Sequence, residues 1–331
     1  MPRHRLIVTT ALCLLMAILP VSGARGFAPK GNGQEEAGTG PTPRRVVAVG
    51  DSHGAFEEFV ELMRTTEIVD ADLNWIGGNT VLVQTGDFTD RGAGVRQVMD
   101  LLMRLQLEAA ASGGEVRVAL GNHEVMNLIG EVRDVTPEIM FSFASEDAME
   151  TREEGFKEFE DRVLKRDSRW SRLSRGQKRD IKDDWIGKHP LGYVEYLRAL
   201  GPAGEYGRWL RELPFGVIVE DVLFLHAGIT PELGDWGVPR LNERVATEIA
   251  AYDDYRTWLH DEEQITSFAN LTEILGGAAD MTQGLDWLTE RDEPLGSPPA
   301  LFGNLNDVGG ERLRAKSRSG LRVVEDPEDE A

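Results

Sequence analysis

A polar turn recurs at the end of three short apolar runs, and this repetition limits the folds open to the chain. Gly86-Asp87-Phe88-Thr89-Asp90-Arg91-Gly92 follows the run from Thr80 to Gln84. Gly50-Asp51-Ser52-His53-Gly54 lies 36 positions upstream, Asp to Asp, and Asn122 of Gly121-Asn122-His123-Glu124 lies 35 positions downstream of Asp87. The run Arg45 to Val49 is continuous rather than alternating, as expected for a strand covered on both faces, and Val116 to Leu120 reads as a third strand. Between them, Phe56, Phe59, Val60 and Met63, then Val95, Val98, Met99, Leu102 and Leu105, recur at helical spacing. Ser112-Gly113-Gly114 supplies the glycine that ends the second helix. Strand, polar turn and helix in succession predict a βαβαβ half whose polar residues meet in one crevice at the carboxyl ends of the strands.

Beyond the third block the character changes. Residues 131–214 read as an inserted set of charged helices, with Phe156, Phe159 and Val163 on one face of the first. Their middle carries Lys165, Arg166, Arg169, Arg172, Arg175, Lys178, Arg179 and Lys182. The plain reading is a solvated surface; the functional one is a docking face for an anionic, phosphorylated substrate. Trp170 and Trp185 read as core anchors. Gly216 to Val219 and Val222 to Leu225 predict a hairpin joined by Glu220-Asp221, with His226 at its exit. Val245, Ile249, Tyr252 and Tyr255 predict a further helix. His189 and His260 belong to no motif and read as structural or exposed.

The ends are set apart by composition. Arg3-His4-Arg5, the apolar stretch Leu6 to Leu19 and the small residues up to Ala24 read as a secretory signal peptide over 1–24. The apolar stretch is shorter than a membrane span needs, so no stable membrane association is expected after cleavage; an uncleaved anchor is the alternative. Cys13 is the one cysteine in the sequence and lies in this segment, behind Leu12 where a lipoprotein signal needs a small residue. The mature protein would then have no thiol, which suits a periplasmic or secreted location. Residues 25–44, rich in Gly, Pro and Glu, read as a flexible linker. Residues 45–290 then form the folded domain, and 291–331 a degenerate tail. With 36 Lys and Arg against 57 Asp and Glu, the formal charge of −21 excludes a general nucleic-acid binder.

Asp51, His53, Asp87, Asn122 and His226 make a mixed nitrogen and oxygen donor set, which suits Mn, Fe or Zn rather than Ca. Two such ions about 3.5–4 Å apart can supply a hydroxide and neutralise phosphoryl oxygens, provided one carboxylate is shared between them. The blocks GDSHG, GDFTDRG and GNHE resemble those of the calcineurin-like metallophosphoesterases, within them the phosphoprotein phosphatase branch. The extension GNHEVMNLIGEVR and the helical insertion before HAGI look most like the bacterial Shewanella-like protein phosphatases. The resemblance runs from about Val46 to Asn242. It implies an α/β fold, a β-sandwich of mixed sheets flanked by helices with a helical cap insertion.

Residue by residue, the resemblance implies that Asp51 and His53 bind a first metal, Asp87 bridges, and Asn122 and His226 bind a second. It implies His123 as general acid oriented by Asp90, and Arg91 as a phosphate clamp. The implied activity is hydrolysis of phosphomonoesters, on a phosphorylated protein or peptide or a small phosphomonoester, by direct attack of a metal-bridging hydroxide. Mn is the expected metal, with Fe or Zn as alternatives. A phosphodiesterase or dinucleotide polyphosphate hydrolase would share the same blocks. The family pattern continues with an arginine and a final Gly-His pair, whereas no histidine follows His260 here. A weakened second metal is therefore expected, from a frameshift or truncation near Pro294 or from divergence toward a phosphate-binding pseudoenzyme.

Overall fold

The computed structural model describes residues 44–280. The segments read as signal peptide, linker up to position 43 and tail lie outside the described residues, as does the end of the expected domain from 281. Three runs of β-branched and aliphatic residues form β1 (Val46–Val49), β2 (Val81–Gln84) and β3 (Glu115–Val118). They pair in parallel in the order β1-β2-β3, with Val46 opposite Val81 and Val81 opposite Glu115. Every residue of the central β2 is buried. Parallel neighbours need a crossover connection, usually a helix, and α1 (Phe56–Thr65) and α2 (Val95–Ala111) supply it.

Each layer follows from the side-chain pattern. Phe59, Val60 and Met63 of α1 and Val98, Met99, Leu102 and Leu105 of α2 share one core with Leu82, on the helical side of the sheet. Helix α2 ends as its glycines predict: Gly113 takes φ 77°, and the Gly114 N–H donates to the Ala109 carbonyl at 2.8 Å. Alternation along β2 sends Val81 and Val83 to the opposite face. There they pack against Val217 and Val219 of a second sheet, the antiparallel pair β4 (Gly216–Val219) and β5 (Val222–Leu225). The hairpin forms without a glycine because Glu220 itself adopts φ 53°. Among the described residues only two strands build this second sheet, and Ile218, Val222 and Leu223 stay exposed.

The third crossing leads into α3 (Asn122–Leu128) and then the insertion, α4 (Pro137–Ser142), α5 (Ala148–Arg162), α6 (Arg175–Lys188), α7 (Tyr193–Leu200) and α8 (Glu205–Glu212). The expected helical run is interrupted, since Leu164–Arg166 and Trp170–Arg172 are 3-10 turns. Most of the basic residues there are exposed, and Lys165, Arg169 and Lys182 pair with Asp161, Asp167 and Glu153. This favours the solvated-surface reading. Trp170 and Trp185 are buried, and His189 stacks on Trp185 with its Nδ1 2.6 Å from the Trp185 carbonyl. The short helix α9 (Pro231–Gly234) precedes α10 (Val238–Asp261), which buries Ile249, Tyr252 and Tyr255, and α11 (Leu271–Asp280) follows. No helix of the described residues is long and apolar enough to cross a membrane.

Leu82 sits fully buried in the central strand, while Leu107 on α2 is exposed. Leu82→Ala is expected to lower stability by about 2–5 kcal/mol in urea denaturation, and Leu107→Ala by less than about 0.5 kcal/mol. Equal losses would contradict this core.

Candidate metal centre

The site is assembled where the exits of β1, β2, β3 and β5 meet. The turns after β1 and β2 are joined through their backbones: Ser52 and His53 donate to the Asp87 carbonyl at 3.1 and 3.0 Å, and Gly54 donates to the Phe88 carbonyl at 3.1 Å. A Cβ on Gly54 would lie 2.4 Å from the Gly92 carbonyl oxygen, so this approach requires glycine. His53, Asp87, Asp90 and Arg91 all hold positive φ, between 41° and 67°. Left-handed backbone at such residues is unfavourable by roughly 1–2 kcal/mol each and persists only where the surroundings impose it.

Glu124 imposes it. This fully buried carboxylate on α3 accepts from the amides of Asp87 at 2.7 Å, Phe88 at 3.0 Å and Thr89 at 3.0 Å. It also accepts from the Thr89 hydroxyl at 2.8 Å and the Gly121 amide at 2.8 Å. Burial pushes its pKa up and these donors oppose the shift. Asp87 is thereby held with Oδ1 accepting the His123 amide at 3.0 Å. Its Oδ2 faces three imidazoles, at 3.1 Å from His226 Nε2, 3.8 Å from His53 Nε2 and 3.9 Å from His123 Nε2.

Asp51 lies 4.0 Å from His53 Nε2 and 3.7 Å from His226 Nδ1, and Asn122 Oδ1 lies 3.1 Å from His226 Nε2. Two donor groups result, His53-Asp87-His123 and Asp51-Asp87-His226, each with its ligand atoms within 4.8 Å of one another. Asp87 belongs to both, as a bridging carboxylate must. The grouping differs from the expected one in two respects: Asp51 lies nearer His226 than His53, and His123 stands among the donors of the first group. Neighbouring donors around a cation with bonds near 2.1 Å sit about 3 Å apart, so the Asp87-His226-Asn122 spacings fit an ion. His226 Nδ1, on the other side of the ring, is buried without a hydrogen-bond partner. Burial raises the Asp87 pKa, but the bond to His226, the His123 amide and the two imidazoles outweigh it and hold the carboxyl below its usual range. The bond to Asp87 raises His226 in turn.

Beside these groups stands the proton-handling pair. His123 Nδ1 is 2.7 Å from Asp90 Oδ2 and 3.9 Å from Asp134, and its Nε2 is 3.1 Å from Arg91 Nη2. A guanidinium can only donate, so this places the imidazole proton on Nδ1, toward Asp90. Burial pushes the Asp90 carboxyl up against the bonds from Asn127 and His123. All eight residues expected from the sequence are therefore brought together. Glu124 and Asn127 were missed; for Glu124 the available signal was its position, three residues after the glycine that starts a helix.

An α/β sandwich that gathers Asp, His and Asn at strand exits around one shared carboxylate defines a candidate dinuclear metal-dependent hydrolase. Residues 44–284 match the family model of the calcineurin-like phosphoesterases, and the chain belongs to that family. It is 30% identical over 203 residues to Shewanella-like protein phosphatase 2 of Arabidopsis thaliana, covering 61% of this chain and 51% of that protein. It is 25% identical over 221 residues to Shewanella-like protein phosphatase 1 of Plasmodium berghei, covering 65% of this chain and 49% of the relative. The chain thus spans about half the length of the curated relatives it matches. Among solved structures, the cold-active protein-tyrosine phosphatase of a psychrophilic Shewanella species is similar at 28% identity, with a TM-score of 0.42 over 63% of this chain and 49% of that one.

Glu124→Gln keeps the volume but turns an NH2 group toward backbone N–H donors. It is expected to lower stability by about 2–4 kcal/mol and to weaken Mn²⁺ binding in calorimetry. An unchanged urea midpoint and affinity would contradict the role given to Glu124.

Proposed function

We propose that this protein is an exported, metal-dependent phosphomonoesterase, acting on a phosphorylated protein or peptide or on a small phosphomonoester. The observation that carries the reading is Asp87 Oδ2, turned toward His226, His53 and His123 at 3.1 to 3.9 Å and shared by two donor groups. Two divalent cations, when bound, supply an activated water and offset charge on the phosphoryl oxygens. His53 and Asp87 would hold one and Asp87, Asn122 and His226 the other, with Asp51, within 4.0 Å of both His53 and His226, able to complete either, Mn being preferred over Fe or Zn. Arg91 presents a forked pair of donors suited to phosphoryl oxygens. Its guanidinium lies 3.1 Å from His123 Nε2, so the nitrogen that would have to take up a proton before passing it to the leaving oxygen sits beside the phosphate-binding fork. Asp90 keeps that imidazole oriented through its 2.7 Å contact with Nδ1.

The printed names of the two relatives support protein phosphatase as the finer reading. The export reading rests on the first 24 residues of the sequence. A second reading is a binding-only relative, in which the same donor groups hold metal and phosphate without turnover.

With Mn²⁺, the protein is expected to hydrolyse p-nitrophenyl phosphate, and Asp87→Asn to lower the rate by at least about 100-fold, near 2.7 kcal/mol of barrier. Single turnover in isotope-labelled water should place the label in the released phosphate. Label on the protein would exclude direct attack, and metal-dependent phosphopeptide binding without turnover would favour the binding-only relative.

A further inference from the structure

Tyr196 lies on α7, in the insertion, yet its side chain ends beneath the catalytic turn. The ring is fully buried and meets Phe143, at the end of α4, edge to face at 5.0 Å. Its hydroxyl bonds to Asn127 Oδ1 on α3. Asn127, also buried, donates from Nδ2 to Asp90 Oδ1 at 2.8 Å and to the His123 carbonyl at 2.9 Å, with the Thr89 hydroxyl at 3.3 Å. Asp90 is fully buried and uses its other oxygen on His123 Nδ1 at 2.7 Å.

The direction of each bond is determined by what the groups can do. Asp90 and the His123 carbonyl accept, so Asn127 must present its NH2 to them and its oxygen to Tyr196. The phenol then donates, and burial keeps it protonated. Without that hydroxyl, Asn127 Oδ1 would be left buried with no donor, and the amide would be held from its Nδ2 side alone. An amide free to shift toward another donor for its oxygen would loosen the bond to Asp90, and with it the aim of His123.

We propose that Tyr196 is a positioning residue for His123. Through Asn127 and Asp90, it makes protonation of the leaving group depend on the inserted helices being docked. This inference rests on the phosphomonoesterase reading. It assigns the insertion a part in the chemistry from below the site, with no contact to substrate.

The test uses two aryl phosphates that differ in their need for a proton. Tyr196→Phe keeps the ring and removes the hydroxyl. Hydrolysis of phenyl phosphate, whose leaving group is poor, should fall about tenfold further than that of p-nitrophenyl phosphate, within the range of general-acid effects. Tyr206→Phe removes a hydroxyl that bonds Asp100 and Arg96 away from the site, and should leave the ratio of the two rates unchanged. An equal fall on both substrates for Tyr196→Phe would overturn the proposal. If Tyr196→Phe does not fold, Asn127→Ser breaks the same link and should show the same selective loss. If the wild-type protein turns over neither substrate, the phosphomonoesterase reading fails instead, and a measurement without turnover decides this one. In protein carrying labelled histidine, the His123 Nδ1 proton should exchange with solvent at least about tenfold faster in Tyr196→Phe. An unchanged exchange rate would overturn the positioning role.

Discussion

The site depends on one buried carboxylate that touches no substrate. Glu124 accepts three consecutive amides from the turn after β2 and one from the start of its own helix. The turn it holds is unfavourable on its own, because Asp87, Asp90 and Arg91 each take a left-handed backbone. Burial of a carboxylate is costly unless its lone pairs are filled, and here the donors that fill them are the backbone groups that would otherwise be unpaired in the strained turn. The two unfavourable elements stabilise each other.

From that turn the charges are set out in order. Asp87 faces inward with imidazoles around one oxygen, a concentration of donors that gains most from a cation placed among them. Asp90, three residues on, faces the far side of His123. Arg91 reaches the near side. One loop therefore carries Asp87, Asp90 and Arg91 into the same crevice, from a sheet whose central strand is buried on both faces. A small displacement of that strand would move all three together.

The sequence made the first half of the molecule legible because its periods are local: a strand of four residues, a polar turn and an amphipathic helix each declare themselves within a short window. The same holds for His226, which follows a recognisable hairpin. The 3-10 turns at Leu164–Arg166 and Trp170–Arg172 were hidden, since a run of basic residues reads the same on any exposed surface. Tyr196 was hidden for a different reason. It lies 69 positions from Asn127, and nothing near it in the chain distinguishes a tyrosine that packs a core from one that also bonds a buried amide beside Asp90. The grouping of donors was also beyond the sequence, because the distances from Asp51 to His53 and His226 depend on how the β1 turn settles against β5.

The central claim is that Asp87 is shared between two metal ions. Electron paramagnetic resonance of the Mn²⁺-loaded protein tests it most directly. An exchange-coupled pair in the wild-type protein, replaced by isolated ions in Asp87→Asn, is the expected result. Isolated Mn²⁺ signals at every loading of the wild-type protein would contradict the account.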